Sequence, residues 1–213
     1  MFTAAAVVWF ALVLQFAIMV NVNLTSEDGS IAQAISRFLA YFTILSNILV
    51  ATSFTTRLAV PHSTLGTFFA RPIVETGIMM AIVTVGIIYV AVLQQTWNPQ
   101  GLQLVADLLL HYFTPLAFLA YWLMFVPHGT AHWQHAFVWP IYPLAYAVYA
   151  LIGGTITGFY PYPFIDVATF GYPRVLINVV VLLAGFVVGG LLVVALDRAL
   201  GRRAMRGQPR SAV

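Results

Sequence analysis

Six runs of about twenty apolar residues, joined by loops too short to hold a domain, constrain this chain more than any other feature. A bilayer core about 30 Å thick takes roughly 20 residues of helix. A segment crossing it must satisfy its backbone N–H and C=O groups internally, which favours α-helix. The runs cover about Phe2–Asn21, Ser36–Thr56, Pro72–Leu93, Leu104–Val126, Trp139–Thr157 and Arg174–Leu196. They predict an all-α integral membrane protein with a six-helix transmembrane domain over residues 1–197 and a basic tail over 198–213. The chain is 62% hydrophobic and 7% charged, far from the roughly 25% charged residues of a soluble domain. The first run has no basic leading segment and no small-residue cleavage site, so it reads as a span and not as a cleaved signal.

All nine basic residues are arginine, and cysteine is absent. Lysine Schiff bases, the P-loop, thiolate nucleophiles and thiolate metal sites are thereby excluded. Five of the nine arginines lie in the last sixteen residues. The basic charge therefore belongs to a tail suited to anionic lipid, not to a nucleic-acid groove. With that tail in the cytoplasm, six spans return the N-terminus to the same side. Arg57, Arg71, Arg198, Arg202, Arg203, Arg206 and Arg210 then lie inside, and only Arg37 and Arg174 outside, a positive-inside distribution. Glu27, Asp28, Asp107 and Asp166 fall at outer ends. The expected location is a bacterial cytoplasmic membrane.

Polar groups inside spans are costly and mark function by default. The second span carries Thr43, Ser46 and Asn47, the fourth Asp107, His111 and Thr114, and the sixth Asn178. Thr43 lies seven positions past Ser36, and His111 seven past Leu104. At 1.5 Å per residue both sit about 10 Å below the outer surface. A hydroxyl and an imidazole on two parallel-running helices can thus meet. Asp107 shares a face with His111 at i, i+4 and can orient the ring, while Pro115 deprives the His111 carbonyl of its helical donor, so that a kink beside the imidazole is expected. A threonine hydroxyl becomes a nucleophile when an oriented base takes its proton, and Asn47, Asn178 or a tyrosine can supply oxyanion donors. The same asparagines also suit interhelical glue, and Thr43 alone suits a bond to its own i−4 carbonyl.

Other residues read more plainly. Glu75 is expected to pair with Arg71, one turn away. Thr52, Thr55 and Thr56 read as helix-end caps. His128, His132 and His135 have one-face spacing, but Pro127, Gly129 and the lack of a nearby carboxylate favour a solvated loop over a metal site. Gly185 with Gly189, and Gly153 with Gly154, are helix-packing signals. The proline- and aromatic-rich segment Phe159–Tyr172 is expected to form an ordered lid over the outer mouth, with Asp166 near the polar cluster. No metal or cofactor is called for.

Three motifs together resemble the androgen-induced-gene family of six-helix membrane hydrolases. Tyr41-Phe42-Thr43-Ile44-Leu45-Ser46-Asn47 resembles its threonine-bearing second helix. Asp107 through His111, followed by Pro115, resembles its histidine helix. Thr157-Gly158-Phe159-Tyr160-Pro161-Tyr162-Pro163-Phe164-Ile165-Asp166 resembles the segment after its fifth span. The likeness covers most of the chain and is greatest to small bacterial members. It implies an essential Thr and His at Thr43 and His111, and a threonine hydrolase acting on lipid esters, in animals fatty acid esters of hydroxy fatty acids. The chain departs from the animal pattern at Leu108-Leu109-Leu110, where those proteins are more polar and carry a second histidine.

The leading expectation is therefore an intramembrane lipid ester hydrolase with Thr43 as nucleophile and His111 as base. Ser46, Asn47, Asp107, Tyr162, Asp166 and Asn178 support it, with substrate entering from the outer leaflet and water near Asp107. The alternative is a small transporter with Asp107 and His111 in a proton path, against which stands the absence of a detectable internal repeat.

Overall fold

A computed structural model describes residues 1–27 and 29–206; Asp28, Arg210 and the rest of 207–213 lie outside the described residues, as does the side chain of Arg206. Among the described residues every regular element is helical. α1 is Phe2–Leu24, α2 Ile31–Ala40, α3 Phe42–Ala59, α4 Thr64–Phe69 and α5 Pro72–Ile88. α5 runs on through a π turn, Tyr89–Leu93, and a 3-10 turn, Gln94–Thr96. α6, Leu102–Leu108, passes through a second π turn, Leu109–Phe113, into α7, Thr114–Phe125. α8 is His135–Val138, α9 Ile141–Thr157 and α10 Val167–Arg206. Five of these helical stretches are long and apolar enough to cross a membrane, or six if the bent pair α2–α3 counts as one span. The core lies where α3 packs between α1, α5 and α7, around Phe54, Ile82, Phe118 and Trp122.

The second expected span is not one helix. α2 and α3 meet at 81°, across Tyr41, whose backbone is extended (φ −84°, ψ 128°). α2 is the amphipathic piece: Ser30 caps it by accepting from the Gln33 N–H, Ala34 and Phe38 are buried, and Arg37 is exposed. A break of this kind orphans backbone groups on both sides, and three tyrosines satisfy them. Tyr146 donates to the Ala40 carbonyl at 2.9 Å, Tyr149 to that of Leu39 at 3.4 Å, and the Thr43 N–H donates to the Tyr162 hydroxyl at 3.2 Å. Thr43 is consequently the second residue of a helix and not a residue two turns into a continuous span.

Proline acts differently from expectation in the fourth span. The π turn moves the Thr114 N–H onto the Leu109 carbonyl. The carbonyl left without a donor is then that of Leu110, since the residue five positions on is Pro115. Asn47 Nδ2 fills the vacancy at 3.3 Å. The helix is therefore bulged, not ended, one residue before His111.

Two other expectations are corrected. α10 starts earlier than Arg174, with non-helical Gly171 (φ 69°) ahead of Pro173. It also continues helically past Leu196, and Gly201 seats directly on the Gly129 backbone, with no room for a Cβ. The expected tail thus begins as a continuation of α10, helical through Arg206 and packed on the bundle at Gly201. Glu75 is buried and takes Arg57, not Arg71: Arg57 Nε and Nη2 donate to its two oxygens at 2.8 and 3.3 Å, and the Tyr121 hydroxyl donates at 2.7 Å. Helix order explains this: Arg57 in the last turn of α3 faces the first turn of α5, whereas Arg71 precedes that helix as its N-cap.

Candidate active site

The helix break and the π turn bring Thr43 and His111 together from elements 68 residues apart, with Thr43 Oγ1 3.5 Å from His111 Nε2. Thr43 is buried at the N-terminus of α3. His111 Nδ1 lies 3.1 Å from the Asp107 carbonyl and 3.2 Å from Asp107 Oδ1. The carbonyl is the hydrogen-bond acceptor, and the carboxylate oxygen beside it has no hydrogen-bond partner among the described residues. Both are acceptors, so the network assigns the proton to Nδ1 and leaves the Nε2 lone pair facing the threonine.

Asp107 is buried as well, and its second oxygen receives the hydroxyl of Tyr89. The Tyr89 ring stacks on the His111 ring at 4.1 Å and 18°. Gly86 permits this approach: a Cβ there would stand 3.1 Å from the His111 carbonyl oxygen and 3.3 Å from the Pro115 ring. Sequence reasoning missed Tyr89, because a tyrosine near a span end is indistinguishable from an interfacial aromatic. The only signal was its place on the helix before the Asp-His pair.

Asn47 is a fastener, with both of its amide donors engaged. Its amide nitrogen donates to the Thr43 carbonyl at 2.8 Å and to Leu110, so one side chain holds the nucleophile's helix against the histidine's bulge. Tyr162 joins the cluster directly, 3.2 Å from Thr43 Oγ1. Burial pushes its phenol up to about 12 against the lowering effect of the Thr43 hydrogen bonds.

The remaining expected site residues lie apart. Ser46 pairs with the Tyr142 hydroxyl at 3.3 Å. Asn178 donates to the Phe164 carbonyl at 2.8 Å and so pins the loop carrying Tyr162. Asp166 does not approach the cluster. It caps α10, accepting from the N–H groups of Ala168 and Thr169 and the Thr169 hydroxyl. The segment expected as a lid supplies Phe159, Pro161 and Tyr162 to one wall of the cavity described next.

Two cavities meet at Thr43. One, of about 460 Å³, is lined by Gln15, Arg37, Asp107 and His111 as well as Thr43 and Tyr162. The other, of about 100 Å³, is walled by Phe42, Val85, Tyr146, Leu183 and Phe186, again with Thr43 and Tyr162. The nucleophile candidate thus stands between a larger chamber of mixed lining, which holds the polar side chains, and an apolar slot. No family model, curated protein or solved structure matches the chain.

Among the described residues no group of three His, Asp or Glu side chains is placed to hold a metal. The 127–135 loop does meet a carboxylate, contrary to expectation. Asp197 of α10 accepts from the N–H groups of Gly129 and Ala131 at 3.0 and 2.9 Å and lies 3.4 Å from His128 Nδ1. That arrangement ties a loop to a helix.

Proposed function

We propose that this chain is a multi-pass membrane hydrolase of lipid esters, with both termini in the cytoplasm, Thr43 as nucleophile and His111 as general base. The observation that carries the reading is Thr43 Oγ1 3.5 Å from His111 Nε2, with the other ring nitrogen held by the Asp107 carbonyl at 3.1 Å and its carboxylate oxygen at 3.2 Å. A hydroxyl, a base and a carboxylate in that order constitute the acyl-transfer arrangement wherever it occurs. The resemblance of the Thr43, His111 and Tyr162 segments to the androgen-induced-gene hydrolases supports the same reading and points to fatty acyl esters.

In this mechanism the ester's acyl chain lies in the apolar slot and its alcohol portion in the larger, mixed chamber. His111 Nε2 takes the Thr43 proton as Oγ1 attacks the carbonyl carbon. The imidazolium, stabilised by Asp107, returns the proton to the departing alkoxide. Water from the larger chamber then repeats the steps on the acyl-threonine. The position of Thr43 at a helix N-terminus adds favourable dipole for the negative charge formed beside it.

The test is a mutant cycle on purified protein with p-nitrophenyl octanoate as substrate and fluorophosphonate labelling as second readout. Thr43→Val and His111→Ala should each abolish turnover, and the double variant should be no worse, because coupled catalytic groups are non-additive. Thr43→Ser should keep part of the rate. Full turnover by folded Thr43→Val would eliminate the nucleophile assignment. A proton carrier would instead lose proton flux in liposomes on His111→Ala and be indifferent to Thr43→Val.

A further inference from the structure

We propose that the Tyr162 hydroxyl donates the hydrogen bond that stabilises the oxyanion of the acyl-transfer step, as a third catalytic group beside Thr43 and His111. The inference rests on the hydrolase reading above and deepens it.

Donor bookkeeping around one oxygen leads to this assignment. The Tyr162 hydroxyl lies 3.2 Å from the Thr43 N–H, which can only donate. Tyr162 Oη is therefore an acceptor in that contact, and its own proton points elsewhere. Its other partner is Thr43 Oγ1, also at 3.2 Å. Thr43 Oγ1 directs its proton to His111 Nε2, so it accepts from the phenol. The order is Thr43 N–H to Tyr162 O–H to Thr43 Oγ1–H to His111 Nε2, with every proton used once.

Attack reverses the demand on the middle link. As Oγ1 forms its bond to the carbonyl carbon, its lone pair is consumed and its proton passes to His111. The carbonyl π pair moves onto the substrate oxygen, which becomes the strongest acceptor next to Oγ1. The Tyr162 proton turns from the one oxygen to the other by rotation about the phenolic C–O bond, while the Thr43 N–H continues to hold Oη in place. No proton leaves the tyrosine; it donates a hydrogen bond, and the oxyanion collapses by expelling the alkoxide. A group buried and high in pKa remains a donor throughout the neutral range.

The ring is held in advance of reaction, which is what makes such a donor effective. Tyr162 is parallel to Phe164 at 5.2 Å and edge-on to Tyr41 at 5.7 Å, and Asn178 clamps the Phe164 carbonyl. The two asparagines that compete for the role are occupied: Asn47 donates to the Thr43 and Leu110 carbonyls, Asn178 to Phe164.

The experiment compares Y162F with the wild type on p-nitrophenyl octanoate and on its thiono analogue, whose C=S accepts hydrogen bonds poorly. Y162F keeps the ring packing. Its kcat on the oxo ester should fall by about 10²–10³, the usual loss for one oxyanion donor, with KM within about threefold. The deciding readout is the oxo-to-thiono rate ratio. The wild type should prefer the oxo ester strongly, and Y162F should lose most of that preference, which a purely structural tyrosine would not alter. If Y162F fails to fold, 3,5-difluorotyrosine in place of Tyr162 keeps ring and hydroxyl and should change the same ratio. An unchanged ratio in the folded variant overturns the proposal while leaving Thr43 and His111 intact. Turnover by T43V at the wild-type rate removes Thr43 as the nucleophile and overturns this proposal with it, whereas no turnover by the folded wild type overturns the hydrolase reading itself.

Discussion

Replacing Glu75 by alanine separates polar groups that hold the bundle together from those that do chemistry. Glu75 is fully buried and receives three hydrogen bonds, two from Arg57 and one from Tyr121. Its removal strands a buried phenol, at a cost of about 1–3 kcal/mol, and an arginine whose partner was a buried charge. Breaking a buried pair costs about 3–5 kcal/mol. The Arg57 side chain keeps 28% of its surface exposed and can turn toward solvent, which places the total at the low end, about 3 kcal/mol. For a chain of this length about 1 kcal/mol moves Tm by roughly 2–4 °C, so Glu75→Ala should melt roughly 6–12 °C lower in detergent micelles. Replacing both Arg57 and Glu75 by methionine should recover much of the loss, because no charge is left unpaired. Turnover per folded molecule should be unchanged, since Thr43 and Arg57 stand roughly 21 Å apart along α3 at 1.5 Å per residue. A Glu75→Ala shift under about 2 °C, or a double variant as unstable as the single one, would refute this account of the ion pair.

Two further outcomes are expected. A fluorescent protein fused to the C-terminus should be bright and an alkaline phosphatase fusion there inactive, given seven arginines on one side against two on the other; the reverse pattern would invert the proposed orientation. Asp166 sits below its ordinary value of 3.8, chiefly through the Thr169 hydroxyl. Its contribution is therefore complete above that value and is lost as pH falls through the lower folded one. Asp166→Asn should destabilise the start of α10 at neutral pH, by hydrogen exchange of Ala168 and Thr169, and the difference from wild type should shrink in acid.

The helical class and the approximate positions of the spans were legible from the residues alone, because hydrocarbon leaves a backbone few choices and apolar runs of this length have few other uses. The pairing of Thr43 with His111 was legible too, but through the wrong geometry. Equal depth in two unbroken helices suggested it. In the structure a break at Tyr41 turns Thr43 into a helix N-terminal residue, and a π turn sets the histidine. Both features depend on distant partners: the broken backbone is satisfied by Tyr146, Tyr149 and Tyr162 from beyond residue 140, and the bulged one by Asn47. Periodicity within one segment carries no record of donors supplied by another. The same limit explains Glu75, Asp197 and Tyr89, whose partners are 18 to 69 residues away. Hydrophobic burial is a property of composition that can be read along the chain, whereas the match of each buried donor to one acceptor exists only once the helices have packed.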